Sequence, residues 1–181
     1  MDETNNLNII LVGMPGGGKS FIGEKLSKLL AHFTYLDTDT LIEEKTGRTI
    51  SEIFEKHGEK YFRELETTVI KKLTQKRNQI ISIGGGSFES EQNRDSLKRN
   101  SLSFYLKTPA KELFERIQKE THRPLFKDDL TLKTVEDLLR KREKNYYKAD
   151  FIINTYQTPA YAILDNILRE YEEYVKQRTF C

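Results

Sequence analysis

The chain has almost no cysteine, because Cys181, its last residue, is the only one. A lone thiol excludes an internal disulfide framework and a cluster of thiolate metal ligands, which fits a reducing compartment. No apolar run approaches the ~20 residues that a membrane span requires. The first six residues are polar and acidic, whereas a signal peptide begins basic and continues apolar. These absences predict a soluble, cytoplasmic protein without a membrane partner.

Blocks of like charge are also missing. The 181 residues include 30 Lys and Arg against 28 Asp and Glu, a formal net charge of +2. Because the basic residues are spread along the chain, composition gives no electrostatic reason to expect a nucleic-acid partner. Internal repeats, low-complexity tracts and proline-rich linkers are absent as well. Since this length suits one core, we expect a single domain over residues 1–181 and a monomer.

Short apolar runs alternate with longer segments of helical spacing. The runs lie at residues 9–12, 35–36, 80–83, 102–106 and 151–153. This alternation predicts a five-stranded parallel sheet between layers of helices, a three-layer α/β/α fold. Thr-Pro-Ala sequences at 108–110 and 158–160 predict helix starts, each with a capping threonine and a proline at the first helical position. Apolar residues at helical spacing over 163–175 predict a final amphipathic helix that closes the core.

The sequence Gly-Met-Pro-Gly-Gly-Gly-Lys-Ser at 13–20 directly follows the first apolar run. This is the setting of a phosphate-binding loop, in which backbone N–H groups and a helix N-terminus surround an anion. We expect Lys19 to reach the outer phosphates of a nucleotide and Ser20 to bind Mg²⁺. GTPases, motor ATPases, nucleotide kinases and metabolite kinases all carry such a loop. It therefore indicates the phosphate donor and leaves the acceptor open.

Two further motifs follow the second and third apolar runs. Asp37-Thr38-Asp39 follows the second, and in an open parallel sheet ligands bind beyond the carboxyl ends of the strands. Alternation along an extended chain would send both carboxylates to one side, with Asp37 holding magnesium through water and Asp39 accepting a proton from an attacking hydroxyl. A helix cap is the alternative for this motif. The glycines at 84–86 follow the third run and predict either a tight turn or a surface that a ligand approaches closely.

Taken in order, these motifs resemble those of the shikimate kinase family over nearly the whole chain. They are the octet at 13–20, Asp37-Thr38-Asp39, Phe62-Arg63, the glycines at 84–86, Arg123-Pro124-Leu125, and Arg142 with Tyr146. The resemblance implies a P-loop kinase fold with a mobile lid at about residues 119–133. It also implies Mg²⁺-dependent transfer of the γ-phosphoryl group of ATP to the 3-hydroxyl of shikimate, on the route to chorismate and the aromatic amino acids.

For the acceptor, the resemblance implies a shikimate site made of Asp39, Arg63, Gly84, Gly85, Gly86 and Arg142. Arg63 and Arg142 would clamp the carboxylate with charge-assisted hydrogen bonds, which lysine cannot make in bidentate form. Asp39 would bind the ring hydroxyls and orient or deprotonate the attacking one. The backbone of the three glycines would border the ring.

For the donor, the resemblance implies an ATP site made of Gly16, Gly17, Gly18, Lys19, Ser20, Phe21, Arg116, Arg123 and Gln157. The loop backbone would wrap the phosphates, Arg116 would stack on adenine, and Gln157 would contact the adenine from its loop. Arg123, on the lid, would swing toward the phosphates and stabilise developing charge. The expected catalytic residues are thus Lys19, Asp39 and Arg123, and the expected metal ligands are Ser20 and, through water, Asp37.

Two classes of alternative remain open. Another small-metabolite kinase, such as a gluconate kinase, or a nucleoside monophosphate kinase would share the loop; the triple glycine and the two arginines favour a carboxylated alicyclic acceptor, although a sugar acid also bears a carboxylate. A catalytically silent nucleotide-binding module would have lost Lys19, Asp39 or a clamp arginine, and all are present. A GTP-dependent switch would need an Asn-Lys-x-Asp guanine reader, which the sequence lacks.

Overall fold

The computed structural model describes residues 7–119 and 130–179. Over these residues the strands are β1 (Asn8–Val12), β2 (Thr34–Asp37), β3 (Gln79–Ser82), β4 (Ser101–Lys107) and β5 (Phe151–Asn154). The α-helices are α1 (Lys19–Leu29), α2 (Thr38–Thr46), α3 (Ile50–Leu73), α4 (Glu91–Lys98), α5 (Ala110–Ile117), α6 (Leu132–Tyr146) and α7 (Ala160–Thr179). A short 3₁₀ helix, Ser87–Glu89, lies between β3 and α4.

The five strands form one parallel sheet in the order β2-β3-β1-β4-β5. Each of the five apolar runs coincides with one strand, although Ile83 lies one residue beyond the end of β3, so the predicted parallel sheet is confirmed. β1 is central and buried along its whole length, as expected of a parallel strand covered on both faces. The loop that leaves β1 therefore starts from the middle of the sheet.

Alternate residues of β1 pack against opposite helical layers. Ile9 and Leu11 belong to a cluster that includes side chains of α1 and α7. Ile10 and Val12 belong to a second cluster, with side chains of α4, α5 and α6. The three-layer α/β/α prediction is confirmed. The amphipathic pattern predicted for the last helix is confirmed too, since Ile167 is fully buried in the first cluster.

The helices after the two Thr-Pro-Ala sequences begin one residue later than predicted, at the alanines, and the predicted capping is wrong. α5 begins at Ala110, and Pro109, with a ψ of 148°, is its N-cap rather than its first helical residue. The Thr108 hydroxyl instead shares a 2.7 Å hydrogen bond with the Thr155 hydroxyl, 47 residues away. Likewise, the Thr158 hydroxyl donates to the carbonyl of Tyr156 at 3.0 Å. Both hydroxyls thus form hydrogen bonds with residues outside the helix that follows them.

Helix α3 carries Arg63 and contains a kink. It begins with a capping box formed by Thr49 and Glu52, and it is interrupted at Gly58, where φ is 78°. This φ lies in the left-handed region that glycine reaches without steric cost. α2 and the segments around the kink share a small core of their own, built on Ile42, Ile53, Phe62 and Val69. Within the described ranges, no helix has the length and apolar character to cross a membrane.

Candidate active site

The loop between β1 and α1 has the backbone geometry of a phosphate cradle. Gly16 and Gly18 have φ values of 76° and 84°, in the left-handed region. Gly17 has no room for a side chain, because a Cβ there would lie 2.9 Å from the carbonyl oxygen of Met14. No side chain caps α1, and its first turn contains no acidic residue. The N–H groups of that turn therefore offer an anion site.

Lys19 lies over this loop. Its ammonium donates to the carbonyl oxygens of Gly13 at 2.9 Å and of Met14 at 3.0 Å. The positive charge is thus held at the mouth of the cradle, next to the position where an anion meets the first turn of α1. The predicted contact of Lys19 with the outer phosphates of a nucleotide stays a prediction.

A cavity of about 630 Å³ opens beside the loop. Residues 16–22 form one wall, and the other walls include Arg116, Lys119, Thr155 and Thr158. Its volume suits a nucleotide, since small-molecule sites occupy roughly 300–1,000 Å³. Phe21 lines the cavity and is 54% exposed.

Arg116 is fixed on both sides at this cavity. Its Nη1 donates to the carbonyl of Gly16 at 3.2 Å, and its Nη2 contacts Glu112 Oε1 at 2.5 Å. Gln157 does not line the cavity; its amide donates to the hydroxyl of Tyr156 at 3.2 Å. The predicted adenine contact of Gln157 stays a prediction. Sequence reasoning missed the neighbouring wall residues of the 155–158 loop, for which a Thr-Pro motif gave only a helix start.

Asp37 lies where the phosphate loop meets β2. The Ser20 hydroxyl donates to Asp37 Oδ2 at 3.3 Å, and the Tyr35 hydroxyl lies 3.3 Å from the same oxygen. Burial raises the pKa of Tyr35. The other oxygen, Oδ1, accepts the N–H of Asp39 at 3.0 Å and so caps α2. The cap and the contact with Ser20 coexist in one carboxylate.

Asp39 is positioned by a helical turn and not, as predicted, by an extended strand. β2 ends at Asp37, and Asp39 lies in the first turn of α2, so the expectation of two carboxylates aligned by an extended chain is wrong. The helical turn nevertheless places Asp39 against the glycine turn, because a Cβ on Gly84 would lie 3.0 Å from Asp39 Oδ1. The N–H of Gly84 donates to the Thr38 hydroxyl at 3.0 Å and fixes this approach.

Arg63 contacts the last of the three glycines. A Cβ on Gly86 would lie 2.7 Å from Arg63 Cζ, so a side chain there would displace the guanidinium from its present position. Arg63 donates through Nη1 to Glu66 Oε2 and through Nη2 to Glu59 Oε1, both at 3.0 Å. Its side chain remains 28% exposed, so the guanidinium is held in place and still open to the cleft.

Glu66 is a buried acid beside the site that sequence reasoning missed. It is 1% exposed, and it accepts hydrogen bonds from Arg63 and from the hydroxyl of Ser87. Burial raises the pKa of Glu66, and the nearby charge of Arg63 acts in the opposite direction. A signal was present, because an acid three residues after an arginine on a helix faces it. That spacing alone gives no hint of burial.

Arg142 and Tyr146, one turn apart on α6, hold the middle glycine. Arg142 is 3% exposed, and its Nε donates to Glu89 Oε2 at 3.3 Å. A Cβ on Gly85 would lie 3.2 Å from Arg142 Nη1 and 2.9 Å from Pro15 Cδ in the phosphate loop. The Tyr146 hydroxyl donates to the carbonyl of Gly85 at 2.5 Å, and burial raises its pKa.

The three glycines are therefore the centre of the site. Each abuts one of the three predicted acceptor side chains: Gly84 meets Asp39, Gly85 meets Arg142, and Gly86 meets Arg63. Through Pro15 the same turn touches the phosphate loop. Arg123 and most of the predicted lid, about residues 119–133, lie outside the described residues. In the part of the chain that is described, no group of three or more His, Cys, Asp or Glu could hold a metal.

Comparison with known proteins decides between the classes that the loop alone leaves open. A family model described as shikimate kinase matches residues 15–172. The chain belongs to the shikimate kinase family. A shikimate kinase from Thermodesulfovibrio yellowstonii is 38% identical over 172 residues, which cover 95% of this chain and 99% of that one. A shikimate kinase from Clostridium botulinum is 46% identical over 148 residues, covering 81% of this chain and 86% of that one.

Solved structures agree with this membership of the shikimate kinase family. A shikimate kinase from Acinetobacter baumannii, solved in complex with shikimate, superposes with a TM-score of 0.88 at 37% identity, covering 95% of this chain and 96% of that one. A gluconokinase from Sinorhizobium meliloti superposes with a TM-score of 0.64 at 15% identity. The second likeness shows the fold alone, so it gives no support to a gluconate acceptor. As a family member the chain is a kinase, an ATP-dependent transferase.

Proposed function

We propose that this chain transfers the γ-phosphoryl group of ATP to the 3-hydroxyl of shikimate, forming 3-phosphoshikimate on the route to chorismate and aromatic amino acids. The observation that carries the proposal is the glycine turn at 84–86, where Asp39 and two arginines meet beside a phosphate loop. A carboxylated ring with hydroxyl groups requires this combination of charges. Membership of the family supplies the name of that acceptor.

Arg63 and Arg142 are the proposed ligands of the shikimate carboxylate. Both guanidinium groups lie on the glycine turn, and a planar guanidinium binds a carboxylate through two parallel hydrogen bonds. Arg142 is almost fully buried, so its charge is little screened by water. Glu66 and Glu59 hold the Arg63 guanidinium in place, which reduces the entropy lost when substrate binds.

Asp39 is the proposed catalytic carboxylate. It lies beside Gly84, on the flank of the turn nearest Asp37 and Ser20. There it would accept a hydrogen bond from the 3-hydroxyl and orient, or deprotonate, the oxygen that attacks phosphorus. We propose that the glycines at 84–86 border the ring through their backbone, since side chains at these positions would crowd or displace Asp39, Arg142 and Arg63.

The donor half uses the loop, Lys19 and the walls of the cavity. The N–H groups from Gly16 to Phe21 would bind the phosphates, and Lys19 would exchange its contacts with loop carbonyls for the outer phosphate oxygens. Arg116, fixed by Glu112 and Gly16, would present its guanidinium to the adenine. Gln157 would contact the adenine, as the resemblance implies. Arg123 would stabilise charge on the transferring phosphoryl group.

Mg²⁺ is the proposed cofactor, and the residues present suit it. The Ser20 hydroxyl and the Asp37 carboxylate converge within 3.3 Å, and both are hard oxygen donors. Mg²⁺ is usually bound by one or two such groups together with water and substrate phosphates. When bound, it neutralises negative charge on the phosphate oxygens. Ser20 would ligate it directly, and Asp37 would do so through water.

We propose further that the chain works as a single-domain, cytoplasmic monomer on these two small substrates, with no nucleic-acid or membrane partner. The formal net charge of +2 supports the absence of a nucleic-acid partner, because so small a charge provides little electrostatic attraction for a polyanion.

The experiment that tests the proposed function measures ADP release by the purified protein with ATP and Mg²⁺. Shikimate, gluconate and AMP are compared as acceptors at equal concentrations. We expect ADP release to exceed the background rate when shikimate is the acceptor, and not when gluconate or AMP is. A larger kcat/KM for gluconate or AMP would assign the site to another metabolite kinase. No release above background with any acceptor, together with intact ATP binding, would support the silent module.

A further inference from the structure

Glu89, in the segment that follows the glycine turn, contacts the buried Arg142 of the acceptor site. It is the last residue of the 3₁₀ helix Ser87–Glu89, which follows the turn directly. Its Oε2 accepts the Nε–H of Arg142 at 3.3 Å across 53 residues of sequence. The Glu89 side chain is 28% exposed, while that of Arg142 is 4% exposed. The pair therefore joins the turn to α6 at the edge of the cleft.

The backbone that carries Glu89 is held firmly. Arg94, itself 8% exposed, donates through Nη1 to the carbonyls of Phe88 at 2.6 Å and Glu89 at 2.8 Å. The N–H of Glu89 donates to the carbonyl of Gly86 at 3.1 Å. Because both ends of the Glu89 peptide are fixed, its carboxylate approaches Arg142 from a defined direction.

The direction from which Glu89 approaches determines which nitrogen atoms of the Arg142 guanidinium remain available to bind a ligand. Glu89 occupies Nε, on the side edge of Arg142. Nη1 is buried, points at Gly85, and makes no hydrogen bond to any residue in the described ranges. A buried donor without a partner is costly. A ligand carboxylate at the glycine turn would satisfy it.

We propose that Glu89 is a positioning residue for acceptor binding, which fixes the Arg142 guanidinium so that its Nη edge meets the substrate carboxylate. This inference rests on the proposed function of Arg142 as a carboxylate ligand. Glu89 acts through Arg142 and touches no reacting atom. Its effect therefore falls on the KM for shikimate and leaves kcat and the KM for ATP unchanged.

Steady-state kinetics with varied shikimate at saturating ATP and Mg²⁺ test this inference with four variants. Glu89→Ala removes the contact, whereas Glu89→Gln keeps a hydrogen-bond acceptor without the charge. Glu91→Ala is the matched control, because Glu91 is an exposed carboxylate at the start of α4. Arg142→Lys tests the clamp itself. Thermal unfolding of each variant reports its stability separately.

We expect Glu89→Ala to raise the KM for shikimate about tenfold, the scale of a lost hydrogen bond to a charged group. Glu89→Gln should restore KM to within about threefold of wild type, since a neutral acceptor still orients Nε–H. Glu91→Ala should match the wild-type chain, and Arg142→Lys should raise KM at least as much as Glu89→Ala. A change confined to stability would not reproduce this pattern.

Three results would overturn the inference. A raised KM in Arg142→Lys with an unchanged KM in Glu89→Ala would show that the clamp works without Glu89. A KM below wild type in Glu89→Gln would show that Glu89 competes with the substrate for Arg142. An unchanged KM in Arg142→Lys would remove Arg142 from the clamp and this inference with it. If Glu89→Ala does not fold, Glu89→Asp, which withdraws the carboxylate by one methylene, is expected to raise KM; an unchanged KM there contradicts the inference.

Discussion

The Tyr146 hydroxyl and the carbonyl of Gly85 form a 2.5 Å hydrogen bond that fixes the middle of the glycine turn. Tyr146 is fully buried, and its ring packs 5.1 Å from that of Tyr105, measured between ring centroids. The bond connects α6, which also carries Arg142, to the turn that Arg142 contacts. The acceptor site therefore depends on the docking of one helix.

Tyr146→Phe tests that dependence. Removing the hydroxyl leaves the half-buried Gly85 carbonyl without this donor, so we expect unfolding to become easier by about 0.5–1.5 kcal/mol and the KM for shikimate to rise. Urea denaturation and steady-state kinetics provide the two measurements. Tyr161→Phe is the matched control, because Tyr161 is 75% exposed. Equal stability and equal KM in both variants would mean that the Tyr146 bond has no bearing on the turn.

Asp39→Asn tests the assignment of the catalytic carboxylate. A correctly placed acid or base contributes roughly 10²–10⁴-fold to a rate, so we expect kcat to fall within that range while the Kd for ATP stays nearly constant. Calorimetric titration with a non-hydrolysable ATP analogue measures the latter. Asp95→Asn, on the exposed face of α4, is the control. Weakened nucleotide binding with little loss of kcat would instead make Asp39 a structural residue.

Arg63→Lys keeps the charge beside Gly86 and removes the planar fork. Lysine cannot make the paired hydrogen bonds to a carboxylate, and it cannot reproduce the contacts to Glu66 and Glu59 together. We expect the KM for shikimate to rise about tenfold or more, with the KM for ATP unaffected. Arg99→Lys, at the exposed end of α4, should behave as wild type. An unchanged KM for shikimate in Arg63→Lys would exclude Arg63 from the clamp.

Glu66 predicts a pH dependence of stability. Burial raises its folded-state pKa above the ordinary value of 4.5, so between these two values the folded chain holds a proton that the unfolded chain has lost. By linkage, this group's contribution to the free energy of unfolding is full below pH 4.5 and falls as pH rises through the folded pKa.

Glu66→Gln removes that titration. Urea denaturation of both chains across the window above pH 4.5 should show the wild type losing stability relative to Glu66→Gln as pH rises. A parallel pair of curves would show that the Glu66 pKa does not change on folding. The opposite slope would show that Arg63 outweighs burial and lowers this pKa.

Local sequence was sufficient for most of the fold. The five apolar runs predicted the strands because a parallel sheet buried on both faces requires continuous apolar segments. The phosphate loop could also be predicted from local sequence, because its glycines and the lysine that follows them are adjacent in the chain. The Thr108 cap was predicted wrongly because the partner of its hydroxyl, Thr155, follows the end of β5, 47 residues away, and helix-start propensities cannot account for such a contact.

The acceptor site was harder to predict because its contacts are long-range. Glu89 meets Arg142 across 53 residues, and Gly84 meets Thr38 across 46. Spacing within a helix or strand provides no information on either contact. The resemblance supplied Asp39, Arg63, Arg142 and the glycines as a set. The structure adds that each of these three side chains approaches a different glycine, and that Glu66 and Glu89 hold the arginines.

Product analysis is the most direct test of the central claim. The purified chain is incubated with ATP, Mg²⁺ and shikimate, and the product is examined by phosphorus–proton correlation NMR, with Asp39→Asn as the parallel sample. We predict one phosphorylated product, with phosphorus coupled to the proton at carbon 3 of the ring, formed much more slowly by the variant. Phosphorylation at another hydroxyl, or ADP formation without a phosphorylated ring, would contradict the account.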